Sequence, residues 1–202
     1  MKKLICTVAL CTLPMMAMAA PKYAMQVNHF ALKKNQNWTW ANLAKTPKVK
    51  WQNKTPKKNY SGMYEITGSI SKYGTLTAYG SRSMPEMIHI SSSQLYRESE
   101  NGKDVYKINQ LFDKKELKEV KSNCTIPEES DDFIHLYQKF YVWKKAGYEP
   151  LYVFEMGDAA GTAGGGIMRD YFITKDFSNF NNEYTGITMS NGFGAEYNTC
   201  SI

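Results

Sequence analysis

Residues 150–174 read PLYVFEMGDAAGTAGGGIMRDYFIT. Within them, 151–156 and 167–174 are apolar, aromatic runs of strand length, and GDAAGTAGGG lies between, with five glycines in ten positions. Glycine reaches backbone angles closed to other residues, so this order predicts a β-hairpin whose tip is a nearly side-chain-free tongue. Loops of this kind carry contacts on a rigid scaffold. The candidate partner-binding residues are therefore Gly157, Asp158, Gly161, Thr162, Gly164, Gly165, Gly166 and Arg169, with Glu155 and Asp170 near the base.

The same stretch argues against phosphate chemistry. A P-loop needs Gly-Lys-Ser/Thr opening a helix, whereas Gly164-Gly165-Gly166 runs into Ile167-Met168-Arg169-Asp170 and a strand. A dinucleotide fold needs G-x-G-x-x-G leading into a helix of a parallel unit, which is also missing. No cofactor is expected.

Outward from the tongue the texture is β. Residues 63–70 and 73–79 alternate apolar and polar side chains, 87–90 and 94–97 continue the pattern, and Asn101-Gly102 predicts a hairpin joining 95–98 to 104–108. Residues 136–143 read as a strand that turns back through 144–149 onto 151–156, and 186–190 and 194–200 read as closing strands. The capping-box spacing of Asp113 and Glu116, with Leu111, Leu117 and Val120, predicts one short amphipathic helix over 109–121. The expected fold is mainly β, an antiparallel sheet or a sandwich or open barrel, with that single helix.

Charge divides the chain unevenly. Residues 20–60 hold nine lysines, no acidic residue and Trp38, Trp40 and Trp51. The whole chain carries +6; setting aside Lys2, Lys3 and those nine lysines leaves −5 for 61–202. The stretch reads as a basic aromatic arm, extended over its two Thr-Pro breaks. Lys33, Lys34, Trp38, Trp40, Trp51, Lys57 and Lys58 would hold an anionic cell-wall polymer or membrane surface; the competing reading folds the tryptophans back onto the domain. No nucleic acid partner is expected.

At the start, Met1-Lys2-Lys3, an apolar run over 4–13 and Ala17-Met18-Ala19 have the order of a bacterial secretory signal peptide cleaved near Ala19. This gives a plan of signal peptide 1–19, arm 20–60 and β-rich domain 61–202, working in the periplasm or outside the cell, with no transmembrane segment in the mature chain. Cleavage leaves Cys124 and Cys200, an even pair in an oxidising compartment, and one disulfide is expected between them.

Catalytic and metal patterns are thin. His29, His89 and His135 fall in separate segments without ligand spacing, and Ser91-Ser92-Ser93 lacks the G-x-S-x-G elbow. The acidic run Glu128-Glu129-Ser130-Asp131-Asp132 does not match an EF-hand loop, and no metal site is expected. Glu155 and Asp158 are the one carboxylate pair considered for a hydrolase. Ser61-Gly62-Met63-Tyr64 resembles, over four residues of 202, the S-G-x-Y signature of bacterial periplasmic lysozyme inhibitors. The resemblance implies a β-rich protein that inserts a loop into an enzyme cleft, and it adds Ser61 and Tyr64 to the candidate contacts. The reading is an exported, non-catalytic binding protein, an inhibitor or immunity protein acting on a cell-wall hydrolase through the glycine loop. Its rivals are an envelope-binding module built on the arm and a hydrolase using Glu155 or Asp158.

Overall fold

A computed structural model describes residues 25–72, 74–95, 107–121, 137–159 and 166–181. These form one nine-stranded antiparallel sheet with two four-residue helices, α1 (Trp40–Leu43) and α2 (Ile108–Leu111). The strands are β1 (Lys50–Trp51), β2 (Lys57–Lys58), β3 (Tyr64–Ser69), β4 (Gly74–Gly80), β5 (Pro85–Leu95), β6 (Leu117–Val120), β7 (Tyr137–Trp143), β8 (Leu151–Ala159) and β9 (Gly166–Thr174). Their order across the sheet is β1-β3-β4-β5-β9-β8-β7-β6, and β2 also pairs with β3. Two meanders, β3–β4–β5 and β6–β7–β8–β9, are thus joined where β5 meets β9. The mainly β, antiparallel expectation holds.

Both faces of the sheet are covered, which is why its middle strands lose the alternation of a one-sided sheet. Val153, Phe154, Glu155 and Met156 are all buried along β8, and Tyr171 to Thr174 are fully buried along β9. Ile66, Leu76, Ile88, Ile90, Trp143, Val153 and Ile173 line the first face. Met87, Phe140, Phe154 and Phe172 line the second, where Phe180 of a 3-10 turn (Phe177–Asn181) packs edge-on against Phe140 and Phe154 and Phe177 lies tilted against Phe140.

The first face is closed by the stretch expected to form an arm. Met25, Val27, Phe30, Leu32, Trp38, Trp40 and Leu43 join its core, together with Leu111 and Phe112 at the end of α2. The Trp38 indole nitrogen donates to the Phe30 carbonyl at 2.8 Å, satisfying its polar atom inside the core. Trp40 opens α1, whose N-cap Thr39 accepts from the Asn42 amide through its hydroxyl. Further along, the extension expected over both Thr-Pro breaks is met only in part: 44–45 and 47–48 are turns, with Lys48 at φ +67°, whereas β1 and β2 both lie extended against β3. Gly68 makes the first of these possible: a Cβ there would come within 2.5 Å of a Val49 methyl and 3.0 Å of the Lys50 carbonyl.

The helix expected over 109–121 is corrected. It stops at Leu111; the Asp113 side chain then takes the Lys115 amide in a turn, and Leu117–Val120 becomes edge strand β6 on β7. Leu117 and Val120 are three positions apart, a helical spacing, but in a strand that spacing points to opposite faces. Leu117 packs on the first core and Val120 on the second. The two short strands expected at 87–90 and 94–97 are likewise one strand, β5, running straight through Ser91 to Ser93. The 95–98/104–108 hairpin, the closing strands at 186–200, the acidic run, and the signal peptide over 1–19 lie wholly or partly outside the described residues, as do Cys124 and Cys200.

Candidate functional site

The tongue stands on a strand pair in continuous register. β8 and β9 pair from Tyr152↔Thr174 to Ala159↔Ile167, and β5 flanks β9 as far as Leu95↔Gly166. Residues 160–165 connect the two strands, so Gly161, Thr162, Gly164 and Gly165 lie outside the described residues, while Gly157, Asp158, Gly166 and Arg169 belong to the paired strands.

Polar groups gather at this root on both faces. On the first face, past the apolar core, Glu155 is 5% exposed and accepts hydrogen bonds from the Tyr141 hydroxyl at 2.9 Å and the Tyr171 hydroxyl at 3.4 Å. Tyr171 stands directly opposite Glu155 in the register, and Tyr141 is its diagonal neighbour on β7. Arg169, half-buried, follows two positions along β9 from Tyr171 on the same face, opposite Gly157 on one side and buried Ser92 on the other.

On the second face, His89 Nε2 and Asp170 Oδ1 are 2.6 Å apart, and Asp170 is 4% exposed. The His89 ring lies flat on Phe172, with centroids 4.3 Å apart and planes at 9°. It belongs to a row of rings across five strands: Tyr79, His89, Phe172, Phe154 and Phe140, at successive spacings of 6.3, 4.3, 5.9 and 4.6 Å. A carboxylate at one nitrogen and a ring against its face fix the imidazole's orientation. Among the described residues, no hydrogen bond joins Ser91 to this pair, so a Ser-His-Asp relay is not assembled.

Burial, and then the nearby charges of Glu65 and Asp170, push the Tyr79 hydroxyl up to about 12 from 10.0, against a lesser opposing hydrogen bond with Thr77. The folded protein then holds this proton at pH values where the unfolded chain has released it. Stability from this group is intact below pH 10 and falls as pH rises through 10 to 12. The expected loss is about 2–3 kcal/mol, read as the difference in urea unfolding free energy between the parent and Tyr79→Phe across that range. Parallel pH profiles for the two proteins would refute it.

The remaining sequence candidates scatter. Ser61 is exposed and Tyr64 half-buried at the opposite end of the sheet from the tongue, because β3 begins at Tyr64, opposite Gly80 at the end of β4. Asn59 holds this turn by accepting from the Ser61 and Met63 amides, with Gly62 at φ +86°. Lys57 and Lys58 are exposed on β2, and Trp51 is half-buried on β1. Trp38, 3% exposed, and Trp40, 8% exposed, are core side chains, which corrects their assignment to a binding surface. Only Lys33 and Lys34 of that set stand beside another basic segment, the turn between β7 and β8. Glu155 and Asp158 are three positions apart on β8, an odd spacing along a strand.

Sequence reading missed three groupings. The His89–Asp170 pair spans 81 positions and needs the strand order. The Tyr141–Glu155–Tyr171 cluster had a signal: counted by twos from Leu151 and Val153, Glu155 falls on a core-facing position. The lysines of the β7–β8 turn were read only as a turn. Among the described residues no group of three or more His, Cys, Asp or Glu could hold a metal ion, and no helix is long and apolar enough to cross a membrane. Set against protein families, curated proteins and solved structures, the chain matches none.

Proposed function

We propose that this chain is an exported, non-catalytic binding protein that presents the β8–β9 loop to another exported protein, a cell-wall hydrolase whose cleft the loop enters as an inhibitor. One observation carries the reading: the loop's root is fastened on both faces by buried polar groups, Glu155 with Tyr141 and Tyr171 on one and Asp170 with His89 on the other. Buried polar contacts of this kind fix strand orientation, and a rigid stem limits the entropy lost when a loop is captured. Glycines at the tip let the main chain approach a narrow cleft closely. Ser61 and Tyr64 are at the far end of the sheet and take no part in this contact.

The test is a muramidase assay, following clearing of a cell-wall suspension with and without micromolar protein. Replacing residues 160–166 by Asn-Gly keeps Ala159 opposite Ile167 and so the register of the strand pair, because a two-residue turn closes antiparallel strands. The expected result is inhibition by the parent and none by the replacement, with both unfolding at similar urea concentrations. Equal inhibition by the two proteins, or none by the parent, would overturn the proposal.

A further inference from the structure

The β7–β8 turn and the segment before Trp38 are locked together by backbone contacts. Lys33 forms a bridge with Tyr148, the Lys34 amide donates to the Gly147 carbonyl at 3.1 Å, and the Glu149 amide donates to Leu32 at 2.8 Å. Gly147 turns the chain at φ +82°, a conformation that favours glycine. Between these pieces lies a cleft of about 340 Å3, lined by Lys34, Lys144, Lys145, Ala146, Tyr148 and Pro150. Among the described residues, three ammonium groups and one aromatic ring line it, and no carboxylate does. Its size is that of a small-ligand site.

The groups lining the cleft differ in how they are held. Lys145 is fixed by Glu116 at 2.9 Å and lies 5.9 Å from the Tyr148 ring centre. Glu116 is itself held by the Trp143 indole at 3.1 Å, and Tyr148 packs edge-on against Trp143. Among the described residues, neither the Lys34 nor the Lys144 side chain has an ion-pair or hydrogen-bond partner. The platform is therefore fixed and two cations beside it are uncommitted. Across Lys145 a second cleft of about 500 Å3 continues past Lys114 and Lys115, with Asp113 and Glu116 as its acidic members.

We propose that this surface binds an acidic polysaccharide, with Tyr148 stacking on a sugar ring and Lys34 and Lys144 taking the acid groups. A sugar ring with a carboxylate or phosphate presents an apolar C–H face beside a charge, which matches a tyrosine flanked by ammonium groups. Two concave clefts meeting at Lys145 suit a chain with repeating charge, whereas a membrane presents a flat surface. The site lies at the end of the sheet away from the tongue and does not depend on the tongue's function.

Full-length mature protein titrated with polygalacturonate, a carboxylate polymer, tests this at low salt, with neutral dextran, phosphatidylglycerol vesicles and oligothymidylate in parallel. Expected is binding to polygalacturonate that weakens as salt is added, and none to dextran. Lys34→Gln with Lys144→Gln should weaken binding about tenfold, at roughly threefold per exposed charge contact. Lys57→Gln with Lys58→Gln, at the far edge, should change it less than about twofold. Tyr148→Phe should bind like the parent, because the ring is retained. No binding, or equal binding by the Lys34/Lys144 variant, overturns the site; oligothymidylate or vesicles binding as tightly through the same lysines overturns the polysaccharide.

Discussion

Trp38→Ala is expected to lower the unfolding free energy by about 3–5 kcal/mol, the range for removing a large aromatic side chain from a packed core. Trp38 is 3% exposed, sits with Phe30, Trp40 and Leu43 against the first face of the sheet, and donates to the Phe30 carbonyl. Truncation leaves a cavity between that segment and the sheet and removes the donor to that carbonyl. Were the segment a detached arm, the same change would fall within about half a kcal/mol of the parent, as surface substitutions do. Urea unfolding followed by intrinsic fluorescence, with Trp143 as a remaining core reporter, separates the two outcomes cleanly.

The second large effect is expected at Glu155. Glu155→Ala takes away the acceptor that two tyrosine hydroxyls use inside the sheet, and should cost about 2–4 kcal/mol. Glu155→Gln keeps one acceptor oxygen and should cost clearly less. Tyr141→Phe, which removes only one donor, is expected to cost about 1 kcal/mol. Thermal or chemical denaturation of the three variants gives the ranking Ala, then Gln, then Phe; an Ala variant as stable as the parent would show that the carboxylate is not part of the root's structure.

The strands around the tongue were legible because their patterns are local. Residues 151–156 and 167–174 are apolar enough to be strands whatever surrounds them, and 63–70 and 73–79 each carry a period of two within a single short segment. What failed depended on the whole sheet. Leu117 and Val120 mimic a helix because edge strand β6 feeds two cores at once. Trp38 and Trp40 looked like surface aromatics because the count of lysines around them says nothing about which side chains turn inward. Lys33 and Lys34 are exposed at positions only a few residues from those buried rings. The Lys34–Lys144–Lys145 grouping joins segments more than a hundred positions apart, so neither stretch announces it alone.

The junction of β5 with β9 has a consequence for how the chain assembles. Along it Leu95 faces Gly166 and Met87 faces Thr174, so the partners are 71 to 87 positions apart, while every other neighbouring pair within the two meanders is consecutive in sequence. Each meander can grow by zipping one strand onto the last, but their union must wait for a long loop to close. Until it does, β5 and β9 each present a bare edge of nine or more residues, including the apolar positions Ile88, Ile90, Phe172 and Ile173. An open edge of that length pairs as readily with another copy as with its own partner. Refolding should therefore be slow for the chain's size and yield best when dilute, with the closing of this one seam as the step that protein concentration opposes.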